Sequence, residues 1–207
     1  MPTSPATMKE RTWLTQLIIQ PIMIVLSILA ALAVNNWQQD RDLAKRVADA
    51  RTAFANEISV NKQMLLAEDY LPHHQKLRTE YAEAKSKGAP DPRTLFDTGL
   101  HPAPLRDSVW RMLSGTDTLM HLPPEVVVSL TDIYGLQKFL ENSNAAFINS
   151  LITPRSDRDS PAYAKDVTVS VSMFLEDLVP AEDRLLRFYD KALDGLTHDK
   201  PPWARDK

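Results

Sequence analysis

The stretch LTQLIIQPIMIVLSILAALAV, Leu14 to Val34, holds no charged residue; Arg11 precedes it, and Asn35-Asn36-Trp37 separates it from Asp40. Its 21 residues are mostly Leu, Ile, Val, Met and Ala. As a helix rising about 1.5 Å per residue they reach roughly 31 Å, the hydrocarbon thickness of a bilayer. Thr15, Gln16, Gln20 and Ser27 are its polar members and Pro21 falls in its first third. A membrane helix accommodates these, because neighbouring carbonyls, hydroxyls and close partners take up the freed backbone groups. Trp13 and Trp37 bracket the run and set an amphipathic indole at each expected interface with the lipid. The reading is a transmembrane helix over 14–34, a tail over 1–13, a soluble domain over 35–200 and a second tail over 201–207.

A cleaved signal peptide is the competing reading, since Lys9 and Arg11 precede the apolar run and Ala31-Leu32-Ala33 has a small-x-small pattern. The run is longer than a signal core, and the sequence after Ala33 stays in helical phase, so an anchor is preferred. Lys9 and Arg11 on one side face Arg41, Lys45 and Arg46 on the other. The positive-inside count slightly favours a cytoplasmic carboxyl-terminal side, yet long domains translocate largely regardless of charge. With a short tail before the anchor, the reading leans to an extracytoplasmic domain.

Outward from the anchor, Asn36 to Leu71 contains neither Pro nor Gly, so nothing stops the membrane helix from continuing. Leu43, Val47, Ala50, Phe54, Ile58, Asn61 and Leu65 recur at steps of three or four, a seam along one face. That seam must meet another helix, in the same chain or in a second copy, because bundles and coiled coils share this pattern. Pro72 kinks or restarts the chain, and Leu77, Tyr81 and Ala84 mark a shorter helix ending near Gly88. Gly88 to Pro104, with Pro90, Pro92, Gly99 and Pro102 between those ends, reads as a long loop.

Asp107 or Ser108 is placed to cap a short helix carrying Val109, Trp110 and Leu113, closed by Ser114-Gly115. Pro123-Pro124-Glu125 opens a stronger one, in which Val126, Leu130, Ile133, Gln137, Leu140, Asn144, Phe147 and Leu151 share a face. After a polar turn over 154–160, Pro161 leads into a last helical region with Val167, Val171, Phe174 and Leu178 on one side. Residues 167–172 also alternate like a strand, but a lone strand has no partner, so helix is expected. Pro180 kinks or restarts that region, and Leu185, Leu186, Phe188, Tyr189, Leu193 and Leu196 complete it. The expected fold is all-α: the transmembrane helix runs on into a long amphipathic helix, packed in a bundle of about four helices.

Chemistry is sparse. The chain has no Cys, which removes disulfides, thiolate zinc sites and cysteine nucleophiles together. Lys9, Arg11 and Glu10 fall within the first 34 residues, so the remaining 22 basic and 26 acidic side chains leave the rest at −4. That balance offers no electrostatic footprint for nucleic acid. Five scattered glycines write neither a GxGxxG nor a P-loop, and no Ser sits in GxSxG. His73, His74, His101, His121 and His198 lack metal-ligand spacing and read as surface histidines in loops. Glu176 with Asp177, and Glu182 with Asp183, read as solvated charges that favour a helix start. Asn61 and Asn144 interrupt apolar seams, where a buried Asn fixes register and a frayed one meets water. No cofactor, metal or catalytic residue is expected.

Ile28 through Trp37, followed by Asp40-Arg41 and then Glu57-Ile58 and Asn61, resembles a family of uncharacterised bacterial membrane proteins. In that family an apolar helix ends in Asn-Asn-Trp and runs into a long charged helix with a Glu-Ile then Asn signature. Trp110 to Tyr134, with Ser114-Gly115, Leu119, Leu122, Pro124-Glu125 and Ile133-Tyr134, is similar to the family's later region. Ala30-Ala31 and Ala33 depart from the bulkier or polar residues of relatives. The resemblance covers under half the chain; it implies a bacterial, single-pass protein of the inner membrane and brings no activity with it.

The functional expectation is a membrane-anchored helical interaction or scaffold protein, with the lipid bilayer as one partner and a second copy or another membrane protein as the next. Ser27, Ala30, Ala31 and Ala33 form a small-residue patch leading into the seam of Leu43, Val47, Phe54, Ile58 and Asn61, a candidate surface for self-association. An extracytoplasmic ligand-sensing bundle is the alternative, suggested by the Pro-rich loop, and an enzyme is the second alternative.

Overall fold

The computed structural model describes residues 7–87, 99–153 and 160–198. Among these the chain is helical throughout its regular structure. The helices are α1 (Thr7–Leu65), α2 (Leu71–Lys87), α3 (Ser108–Leu113), α4 (Asp117–Met120), α5 (Pro124–Ile152) and α6 (Pro161–His198). The chain divides into two units, 1–46 and 47–207.

In the first unit, one helix is long and apolar enough to cross a membrane, and its apolar window is not buried inside the protein. Ile19, Ile22, Met23, Ile24, Val25, Leu26, Ile28, Leu29, Leu32 and Val34 are all exposed over about half of their surface or more. Pro21 lies inside the helix without ending it. The side chain of Trp13 lies outside the described residues.

In the second unit, the remaining turns of α1 contribute a buried stripe of Ala50, Phe54, Ile58, Asn61 and Leu65. The partner that this seam requires is therefore found within the same chain. Without Pro or Gly the helix holds to Leu65, and it is the turn over 66–70 that ends it before Pro72 restarts the chain inside α2. Leu71, Leu77 and Tyr81 face inward from α2. Helix α6 packs along both α2 and α5, burying Val167, Val171, Leu175, Val179, Leu185 and Tyr189 between them. Four long elements thus enclose one core, as the heptad-like spacings predict.

Residues 167–172 are helical, as expected, and α6 continues through Pro180 as one element where the sequence left a kink or a restart open. Proline there removes one i to i−4 bond, but Pro180 is exposed, so the freed carbonyl region faces outward. Burial of Leu178 and Val179 before it and Glu182 and Leu185 after it holds the helix on course. The single turn α4, which buries Leu119, has too little periodicity to announce itself.

Candidate functional site

Three polar residues of α1 turn inward beside the apolar stripe, and each grips backbone of a distant segment. The guanidinium of Arg51 donates from Nη2 to the Gly195 carbonyl at 2.8 Å and from Nε and Nη2 to the Leu196 carbonyl at 3.2 and 3.1 Å. Those carbonyls belong to the last turn of α6, where no amide of the helix remains to satisfy them, so a cation from another helix caps the end. Asn61, fully buried, donates from Nδ2 to the Arg106 carbonyl at 2.7 Å and accepts the Arg106 amide on Oδ1 at 2.8 Å. Its seam does not fray; the side chain stands in for a neighbouring strand and fixes the loop before α3.

Glu57 completes the set. Its Oε2 accepts the Val109 amide at 3.0 Å and the Ser108 hydroxyl at 2.6 Å, and its Oε1 accepts the Tyr134 hydroxyl at 2.8 Å. The sequence suggested a local cap from Asp107 or Ser108, but Asp107 makes no side-chain cap bond. It pairs instead with Arg111 one turn on, at 3.0 Å. The amino end of α3 is capped by a carboxylate from α1, and Ser108 serves as a donor to it. Burial, reinforced by the bond to Glu57 and by that residue's charge, pushes the Tyr134 hydroxyl far above its ordinary range. Burial does the same to Tyr189, opposed by the hydrogen bond it accepts from Gln137 Nε2 at 2.6 Å.

A second buried polar pair corrects two expectations. His74 lies in α2, 1% exposed, and its Nδ1 donates to both oxygens of Glu182 in α6 at 3.0 and 2.9 Å. Neither is a surface charge: α2 and α6 pack here, and each polar group enters the core because the other satisfies it. His74 Nε2 is buried with no hydrogen-bond partner among the described residues. His73 donates from Nε2 to the Gly99 carbonyl at 2.9 Å and stacks on His101 at 4.8 Å. Gly99 has a φ of 71°, and a Cβ there would meet the His101 ring at 3.0 Å, so the turn requires glycine. Among the described residues no group of three His, Cys, Asp or Glu side chains is placed to hold a metal ion.

Between the loop over 102–105, α3 and α5 lies a cavity of about 790 Å³. Its apolar walls include Leu65, Leu105, Leu140 and Ile148, and Trp110 lines it while stacking on Tyr134 at 5.1 Å and 15°. Gln137, Glu182 and Asn144 supply polar lining, and two ion-paired couples border it: Asp107 with Arg111, and Lys138 with Glu141 at 2.9 Å. The sequence marked the Pro-rich loop as a candidate ligand element; residues 102–104 of it line the cavity, whereas Pro90 and Pro92 lie outside the described residues.

The remaining candidates divide by place. Trp37 is exposed, with the Arg41 guanidinium 4.9 Å from its ring centre. Ala30, Ala31 and Ala33 are exposed, as is Ser27, whose hydroxyl donates to the Met23 carbonyl at 2.8 Å. Leu43 and Val47 are half-buried. Phe54, Ile58 and Asn61, offered with them for contact between copies, are closed inside their own chain, with Phe54 against Tyr134 at 6.2 Å. Their burial is intramolecular because α5 and the loop before α3 occupy the seam.

No family model, curated protein or solved structure matches this chain.

Proposed function

We propose that this protein is a membrane-anchored helical interaction protein without catalytic activity, its apolar amino-terminal helix held in lipid and its bundle presented in water. The reading rests on one observation: from Ile19 to Val34 the large apolar side chains lie open over about half their surface or more. A helix that is apolar on every side needs a hydrocarbon environment. Ala30, Ala31, Ala33 and Ser27 supply a face on which a second membrane helix, from another copy or another protein, can approach closely. With the partner seam from Ala50 to Leu65 taken up inside the chain, association between copies is assigned to this face and to Leu43 and Val47. The Asn35-Asn36-Trp37 exit and the Glu57-Ile58 and Asn61 signature support a single-pass place in a bacterial inner membrane.

Expression of the full chain, alkaline carbonate washing of membranes and mass measurement of the product test the anchor. Retention in the carbonate-washed pellet with an intact amino terminus is the expected result. A product beginning after Ala33 and found in the soluble fraction overturns the proposal.

A further inference from the structure

We infer that the cavity between the 102–105 loop, α3 and α5 is a binding site for an uncharged small molecule with an apolar body and a hydroxyl-type head. The inference stands on the bundle alone and is independent of membrane anchoring. The cavity, at about 790 Å³, lies within the volume range of sites that enclose small molecules. Leu65, Leu105, Leu140 and Ile148 give it aliphatic walls. Trp110, half-buried and stacked on Tyr134, adds an aromatic one. A hydrocarbon chain or ring that covers these walls takes them out of water.

The charged lining decides against an ionised ligand of either sign, because each charge is already engaged inside the chain. Asp107 is held by Arg111 at 3.0 Å and Glu141 by Lys138 at 2.9 Å, and both Glu182 oxygens accept from His74 Nδ1 at 3.0 and 2.9 Å. Gln137 has nothing to offer, since its Nε2 bonds the Tyr189 hydroxyl and its Oε1 is sealed inside the protein. An amine or a carboxylate entering the cavity gives up its hydration and meets no spare opposite charge, so both are disfavoured. A neutral molecule covers the same walls without that cost. Asn144 supplies its polar contact: half-buried on the cavity wall, its amide has no hydrogen-bond partner among the described residues. Such an amide both donates and accepts, which matches a hydroxyl that does the same.

The test uses the full chain in lipid nanodiscs, with empty nanodiscs as the reference for partition into lipid. Three probes carry one phenylpropyl body and different heads: 3-phenylpropan-1-ol, 3-phenylpropylamine and 3-phenylpropionate. Calorimetry and ligand-observed NMR are expected to give a Kd below about 1 mM for the alcohol, in keeping with a ligand of its size, and affinities at least about tenfold weaker for the amine and the acid. Asn144→Leu removes the polar contact and is expected to weaken the alcohol by about fivefold. Ala145→Trp, at an exposed position on the cavity wall, fills the space and is expected to abolish binding while circular dichroism stays helical. Binding of the amine or the acid as tight as that of the alcohol, alcohol binding that survives Ala145→Trp or is unmoved by Asn144→Leu, or no binding of any probe at millimolar concentration overturns the inference. Carbonate extraction is untouched by any of these results, so failure here is distinguishable from failure of the anchor.

Discussion

Glu57 and Tyr134, 77 residues apart, meet in a buried hydrogen bond of 2.8 Å that ties α1 to α5. The same carboxylate caps α3, so one side chain joins three helices. Glu57→Ala leaves the Tyr134 hydroxyl and the Val109 amide without their acceptor. The expected loss is about 3 kcal/mol of unfolding free energy, measured by denaturant titration of the full chain in detergent. Tyr134→Phe, which leaves Glu57 two of its three donors, is expected to cost about 1 kcal/mol. Equal losses would show that the cap on α3 contributes nothing.

Tyr134 and Tyr189 give the bundle an alkaline limit. Both hydroxyls are held well above their ordinary value by burial, so the folded chain keeps these protons where the unfolded chain releases them. Native protein then binds more protons than unfolded protein, and stability falls as pH rises past about 10, by about 1.4 kcal/mol per pH unit for each tyrosine. Below that range the two groups add no pH dependence. Tyr134→Phe is expected to remove one share of the slope, which denaturation midpoints followed through the alkaline range will show. An unchanged slope would contradict the role given to burial.

His74 and Glu182 predict a non-additive pair. Glu182→Leu alone or His74→Leu alone strands the other group in the core and is expected to cost about 3–5 kcal/mol. The double variant, with both groups apolar, is expected to recover most of that loss. A double-variant cost equal to the sum of the single costs would mean that the two act independently.

Asn61→Leu keeps the volume of the seam and deletes both bonds to Arg106. The loop preceding α3 is expected to open, giving faster amide exchange over 99–109 than elsewhere and a stability loss of about 2 kcal/mol. Exchange unchanged in that loop would count against Asn61 as its anchor.

The proposed anchor predicts its own sensitivity to charge. Leu26→Arg, near the middle of the apolar run, carries an insertion penalty of about 2.5–3.5 kcal/mol. The variant is expected to shift from the carbonate-resistant pellet, while Gln20→Arg, close to the start of the run, is expected to stay. If both variants remain membrane-bound to the same degree, the run is not centred in lipid.

How far the sequence could be read follows from the range of each signal. The helix positions rest on local spacing: Val126 to Leu151 faces inward nearly as its three- and four-residue steps require, and Pro124 begins α5. What could not be read depends on pairs far apart in the chain. Nothing beside His74 announces Glu182 across 108 residues, and an isolated histidine or glutamate is ordinarily solvated. Asn61 carried a usable sign, a polar residue in phase with an apolar seam. Glu57 lay one place off that seam, and the resemblance marked it without giving it a role.

The grip of Arg51 on the Gly195 and Leu196 carbonyls spans up to 145 residues of sequence. During synthesis, the guanidinium emerges well ahead of its acceptors, so the ribosome must translate past position 196 before the bundle can close. Long-range contacts of this kind set the pace of folding. Until then, Phe54 and Ile58 wait as uncovered hydrocarbon on a nascent chain.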